Sequence, residues 1–202
     1  MLNFGDIVCY PIISRNQHGE KYAHICYGKY VVTGRNMDWF QPFDISLWVQ
    51  QPRGLHRDGG VEKNSLTWTS QYGSVALTSH DKGKVEGDGL NEKGLSVNRF
   101  YLTEKDFSPR DIKRPGLSWA GYVQYLLDNF ATVSQAVSAM RNSPIQVVAY
   151  PPIPGAKYKP PTMHFSLSDA SGDSAIFEYL NGKLVIHHGQ QHKVMTNSPI
   201  YA

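Results

Sequence analysis

The chain has 202 residues, 41% hydrophobic and 18% charged, with a formal net charge of +3. That is enough for one sizeable domain with a real core, and the composition is ordinary for a folded protein. Lys and Arg form no stripe and no run of about 18 apolar residues occurs, so neither nucleic-acid binding nor a membrane span is expected.

From residue 1 to about 103 the chain reads as strands and turns. Ile7 to Ile13 is apolar but interrupted by Pro11, which restricts it to a short or edge strand. Ser14 to Lys21 is polar and reads as a loop. Tyr30-Val31-Val32-Thr33 reads as a buried strand. Ile45 to Val49, Ser65 to Thr69, Tyr72 to Thr78 and Leu95 to Leu102 have strand patterns, whereas His80 to Gly89, rich in Gly, Asp and Lys, reads as a long turn.

The middle changes character. Between Pro115 and Met140, the residues Leu117, Tyr122, Leu126, Leu127, Phe130, Val133, Val137 and Met140 fall near helical spacing. A break is expected within 129–134, where Thr132 followed by Gln135 has the capping-box pattern of a second helix start. This apolar stripe is read as core. Strands return at Met163 to Ser168, Ser174 to Leu180, Lys183 to His188 and Lys193 to Met195, and Asn181-Gly182 is a strong hairpin signal. Two sets of antiparallel strands with helices between them in sequence point to a layered α+β fold.

The segment Gly34-Arg35-Asn36-Met37-Asp38-Trp39-Phe40 carries the clearest functional signal. It sets an arginine and an aspartate beside an apolar run, and charged residues rarely lie inside a protein unless paired. A charged couple at the end of a core strand is either a structural ion pair or a site.

Five motifs decide between them: GRNMDWF at 34–40, DGLNEKGLSVNRFYL at 88–102, YLLDNFATVSQAV at 125–137, DASGDSAIFEYLNGK at 169–183 and MTNSP at 195–199. In this order they resemble the choloylglycine hydrolase family, the penicillin V acylases and conjugated bile salt hydrolases. The resemblance implies a four-layer αββα N-terminal-nucleophile hydrolase that cleaves linear amides without an external cofactor. In that family the thiol of an N-terminal cysteine attacks the amide carbonyl and its own α-amine is the base. Such an amine titrates at roughly 7.7–8.0 in model peptides, low enough to accept a proton near neutral pH. By the same resemblance Arg35 is the arginine beside the nucleophile and Asp38 the aspartate that orients the α-amine. The backbone N–H of Tyr101 and the side-chain amide of Asn197 then form the oxyanion hole. Tyr101 tilts the comparison toward the acylases, since bile salt hydrolases commonly carry asparagine there. Asn91 and Gly94 read as turn residues.

The nucleophile departs from the family pattern. Cys26 lies nine positions before Arg35, too close for the strand, turn and returning strand required, and Cys9 lies 26 positions before it. A longer loop can absorb the excess at Cys9 because loop extension costs little entropy, but Cys9 becomes an N-terminus only by removal of eight residues. In a further register Tyr22 stands in the cysteine's place, Cys26 is a buried strand residue and no nucleophile is present. Cys9, Cys26 and none stand as alternatives, and Cys9 is carried as the candidate. The two cysteines make no disulfide framework and free thiols are the simpler expectation.

Family members run on well beyond MTNSP with further layers and another active-site arginine. The chain is therefore read as a single domain over 1–202, cut short at its C-terminus. The implied partners are a small-molecule amide substrate and, since many relatives are tetramers, other copies of the chain. The first residues show no secretory leader, which makes the cytoplasm the default compartment with the periplasm as the alternative. A catalytically inactive family member that only folds or binds ligand is the competing function. A metal site built from His164, His187, His188 and His192 is a further reading. It is disfavoured because the His188–His192 spacing suits a helix and the segment reads as strands.

Overall fold

The computed structural model describes residues 21–27, 30–36, 45–50, 54–79, 86–103, 107–150, 152 and 162–201. The expected strand and loop between Ile7 and Glu20 lie outside them. The first strands are β1 (Lys21–Tyr27), β2 (Tyr30–Asn36) and β3 (Ile45–Gln50). Then come β4 (His56–Asp58), β5 (Thr67–Thr69), β6 (Ser74–Ser79), β7 (Glu86–Asn91), β8 (Ser96–Tyr101) and β9 (Gly116–Ser118). The helices α1 (Tyr122–Asn129) and α2 (Val133–Arg141) follow. The last strands are β10 (Gln146–Val148), β11 (Met163–Ser168), β12 (Ser174–Leu180), β13 (Lys183–His188) and β14 (Val194–Thr196).

Seven strands form one antiparallel sheet in the order β13-β12-β11-β8-β7-β6-β3, and three form another in the order β14-β1-β2. The pairs β4–β5 (antiparallel) and β9–β10 (parallel) complete the ladders. The two helices cover one face of the seven-stranded sheet. Leu126, Leu127, Val137 and Met140 of the helices join Val97, Phe165, Leu167, Ala175 and Phe177 of the strands in one buried cluster. A methyl group added at Gly89 of β7 would lie 2.4 Å from Leu127 Cδ1, so α1 approaches the sheet as closely as a bare backbone allows. The three-stranded sheet meets the other face, through Thr33 to Ser168, Arg35 to Asp88 and Arg99, and Met195 to Phe100 and Ile176. Three layers result among the described residues: small sheet, large sheet, helices.

The local chemistry explains the joints. Asn181 and Gly182 have φ of 48° and 73°, the left-handed pair that a two-residue hairpin turn requires. A side chain at Gly182 would also overlap Ser108. The helical region breaks where expected: α1 ends as Phe130 turns extended, and Thr132 Oγ1 accepts the Gln135 N–H at 3.2 Å. Gln135 Oε1 takes the N–H of Ala131, one residue before the cap, at 2.8 Å, while Asp169 Oδ2 takes the N–H of Val133 at 2.8 Å. Asn91 is more than a turn residue. Its buried amide donates to the carbonyls of Leu127 and Phe130 at 2.9 and 2.7 Å, and its oxygen accepts from Lys93 and Leu95.

Several expectations are corrected. Gly116–Ser118 is a strand, not a helix, because it is hydrogen-bonded in parallel to β10; Ser118 then caps the single 3-10 turn that leads into α1. Glu86 to Gly89 belongs to β7 despite its turn-like composition, since β6 and β8 flank it on both edges. The strand after Tyr30 runs on to Asn36 and is not buried: Tyr30 is 61% and Val32 50% exposed, because β2 has one covered face only.

Candidate active site

The site lies between the two sheets. Strand β2 carries Arg35 into this layer, where its guanidinium has three described neighbours. Nε lies 3.4 Å from Asp88 Oδ1, Nη2 donates to the Arg99 carbonyl at 2.6 Å, and the group sits 4.5 Å above the centre of the Phe100 ring. Both charged side chains are about nine-tenths buried. Asp88 is braced by Asn98, whose Nδ2 donates to the same oxygen at 3.0 Å. A removed partner would leave an uncompensated charge in a layer that is about nine-tenths buried.

The reach of Arg35 to a main-chain carbonyl has a simple cause. Strand β8 outruns β7: the ladder between them stops at Asp88–Asn98, while β8 continues to Tyr101 alongside β11. The carbonyl of Arg99 therefore faces an edge that β7 does not cover. In an extended strand the N–H and C=O of residue i point to one edge, and those of residue i+2 to the same edge. Leu102, whose N–H donates to Thr162 at 3.2 Å, faces the opposite side. The N–H of Tyr101 is thereby aimed at the edge where Arg35 sits, while its ring packs against the helix-side core.

The register of the small sheet sets the remaining geometry. Strand β1 runs between β2 and β14, with Tyr22 opposite Arg35 on one side and Met195 on the other. Asn197 follows β14 directly, and its buried Oδ1 has no hydrogen-bond partner among the described residues. Cys26 pairs with Val31, four positions along β1 from Tyr22. At about 3.3 Å per residue this sets its backbone some 13 Å from the Arg35 position, so the arrangement does not bring Cys26 to the guanidinium. Cys9 and Asp38 lie outside the described residues. Of the residues the sequence singles out, Arg35, Tyr101 and Asn197 are described, at the ends of β2, β8 and β14.

A second polar group occupies the same layer. Glu178 of β12 is fully buried, with Oε1 3.2 Å from His164 Nδ1 and Oε2 3.4 Å from His187 Nε2. Its Oε1 also accepts the N–H of Tyr201 at 3.1 Å. His188 pairs instead with Asp173 at 2.8 Å, and His192 Nδ1 lies 3.0 Å from the Tyr201 hydroxyl. Burial, then the neighbouring His187 and His188, hold His192 below the ordinary histidine value. Among the described residues no three His, Cys, Asp or Glu converge as metal ligands. The four histidines are divided between two carboxylates and a phenol. Sequence reasoning missed Asp88, Asn98, Glu178 and Tyr201. Asp88 and Asn98 stood inside a quoted motif but carried no role until the strand pairing placed them opposite each other.

A model of the linear amide C–N hydrolases, choloylglycine hydrolase family, matches residues 27–202, and the chain belongs to that family. The described strands and helices accordingly form part of the α+β N-terminal-nucleophile hydrolase sandwich. Among characterised relatives, the penicillin V acylase of Pectobacterium atrosepticum is 46% identical over 177 residues, covering 85% of this chain and 46% of that protein. The bile salt hydrolase/transferase of Clostridium perfringens is 28% identical over 172 residues, covering 83% and 50%. The structure of penicillin V acylase from Agrobacterium tumefaciens aligns with a TM-score of 0.79 at 45% identity, over 90% of this chain and 53% of that one. A mutant conjugated bile acid hydrolase from Clostridium perfringens aligns with a TM-score of 0.72 over 90% and 54%; at 24% identity this shows the fold alone. The chain spans about half the length of the relatives it matches. No helix among the described residues is long and apolar enough to cross a membrane.

Proposed function

We propose that the inter-sheet site hydrolyses the amide bond of N-acyl compounds of the penicillin V type, with Cys9 as nucleophile once the eight residues before it are removed. The α-amine of Cys9 takes the thiol proton, and Arg35 stabilises the resulting thiolate. The thiolate adds to the amide carbonyl, and Asp38 holds the α-ammonium in place. The Tyr101 N–H and the Asn197 amide stabilise the oxyanion. The C–N bond then breaks as the α-ammonium protonates the departing amine, and water hydrolyses the thioester.

One observation carries this reading. Strand β1 lies between the strand bearing Arg35 and the strand that Asn197 follows, so the start of β1 stands between the two. The 46% identity to a penicillin V acylase favours a penicillin-type acyl amide over conjugated bile salts. A homo-oligomer belongs to the same reading and is checked by light scattering. The decisive experiment combines intact mass and N-terminal sequencing with release of 6-aminopenicillanic acid from penicillin V. A chain beginning at Cys9, active and silenced by iodoacetamide, is the expected result. Turnover that survives complete alkylation overturns it.

The register of β1 favours a second reading. Tyr22 occupies the position opposite Arg35 and Cys26 lies four residues further on, so without processing at Cys9 the described site holds no thiol near the guanidinium. The chain then folds and binds acyl ligands without cleaving them. An intact Met1, no turnover and a saturable thermal shift with bile acids would identify that state.

A further inference from the structure

Asn197 lies between two anchored residues, and its buried Oδ1 has no hydrogen-bond partner among the described residues. On one side stands Met195, 3% exposed and packed on Phe100 and Ile176. On the other, Ser198, Pro199 and Ile200 are exposed, and Thr196 Oγ1 donates to the Ser198 carbonyl at 3.1 Å. Tyr201 is anchored beyond them. Its N–H donates to the buried Glu178 carboxylate at 3.1 Å and its hydroxyl lies 3.0 Å from His192 Nδ1. Its ring packs edge-on against His187 and His192, with centroids 5.1 and 5.3 Å away. Tyr201 is thus held by both its backbone N–H and its ring.

From this arrangement we infer that Tyr201, gripped by Glu178 and seated on His187 and His192, is a positioning residue that fixes the backbone carrying Asn197. The inference rests on the hydrolase reading for its catalytic consequence but not for the clamp itself. Glu178 is in turn faced by His164 from β11 and His187 from β13, so three strands fix the carboxylate that fixes the segment. An oxyanion donor is useful only where the charge develops, and a misplacement of about 1 Å can cost about 10²-fold in rate. Nothing in this role needs Tyr201 to touch substrate.

The test uses Tyr201→Leu and Tyr201→Phe in the full chain, with hydrogen exchange by mass spectrometry and steady-state kinetics on penicillin V. Tyr201→Phe keeps the ring and the backbone donor and loses only the hydroxyl contact. Exchange over residues 194–201 should rise at least tenfold in Tyr201→Leu while α1 and α2 keep their protection, and Tyr201→Phe should lie near the parent. In the active enzyme Tyr201→Leu should lower kcat by up to about 10²-fold with KM changed less than about threefold. Unchanged exchange over 194–201, or a rise spread evenly over the whole molecule, overturns the clamp. If the parent does not turn over, the hydrolase reading fails and the exchange result alone decides the clamp. If exchange rises but kcat does not fall in an active parent, the positioning role is overturned.

Discussion

The two faces of the seven-stranded sheet are built from different materials. The face under the helices is apolar: Val97, Phe165, Leu167, Ala175 and Phe177 meet Leu126, Leu127, Val137 and Met140, all almost fully buried. The face toward the small sheet is mixed. Asp88, Asn98, His164, Ser166, Ser168 and Glu178 are buried there beside Phe100 and Ile176, while Val75, Leu77 and Leu90 share that face and stand exposed among the described residues. Central strand β11 is buried on both sides, with Phe165 and Leu167 on one and His164, Ser166 and Ser168 on the other. Apolar burial is non-directional and tolerates small shifts, whereas hydrogen bonds and ion pairs fix distance and angle. One face packs the molecule; the other fixes Arg35 and its neighbours by hydrogen bonds and an ion pair.

Substitutions on the two faces test this division. The largest effect is expected from Phe165→Ala, which empties a fully buried ring site beside Tyr122. It should cost about 3–5 kcal/mol in urea unfolding, and a loss below about 1 kcal/mol would break the comparison. On the face toward the small sheet Arg35→Met should lower the proposed amide hydrolysis by about 10²–10³, the scale of losing one charge-stabilising group, here the cation beside the proposed thiolate. Its KM for the substrate should change far less than its kcat.

Asp128 is one of the buried polar groups on the helix side, and it sharpens the contrast. It is a fully buried carboxylate held by Trp68, Gln124 and Arg57 at 2.8, 2.7 and 2.8 Å. Burial raises its pKa above the ordinary value, against the lowering pull of Trp68, Arg57 and Gln124. The folded protein therefore holds this proton more tightly than the unfolded chain. Stability is lost as pH rises from the unfolded carboxylate value through the raised one, and is regained on acidification. Relative to Asp128→Asn, the parent should lose unfolding free energy across that window, measured by urea titration at several pH values. A difference that does not vary with pH refutes the assignment. The smallest effect is expected from Thr33→Val, which removes the 3.1 Å contact to Ser168 between the sheets. It should cost about 0.5–1.5 kcal/mol, and a larger loss would mean that this contact holds the layer more than the ion pair does.

Much of this was readable in the sequence where the determining chemistry is local. Asn181-Gly182 specifies its turn, and Thr132 with Gln135 marks the second helix, because each acts within a few residues. Strands β11, β12 and β13 were read with their observed bounds. Elements made by distant partners were not legible. Glu86 to Gly89 becomes a strand only between β6 and β8, and Gly116–Ser118 only beside β10. The site divides in the same way. Arg35 stood out as a charge beside an apolar run, and Asn197 through its motif. Asp88, 53 positions from Arg35, becomes its partner only through the inter-sheet contact. The histidines suggested a metal because spacing is visible in a sequence and the intervening Glu178 and Asp173 are not visibly theirs.

The seam between the sheets has a consequence for how the molecule comes apart. Water competes directly for hydrogen bonds and ion pairs but poorly for a packed apolar layer, and proteins open in cooperative pieces of unequal stability. Strands β1, β2 and β14 should therefore peel away before the helical half loosens, as a reversible partial detachment. The chain would then lose the arrangement of Arg35 and Asn197 while its helix signal is still intact, so the small sheet and the helical half would fail at different denaturant concentrations.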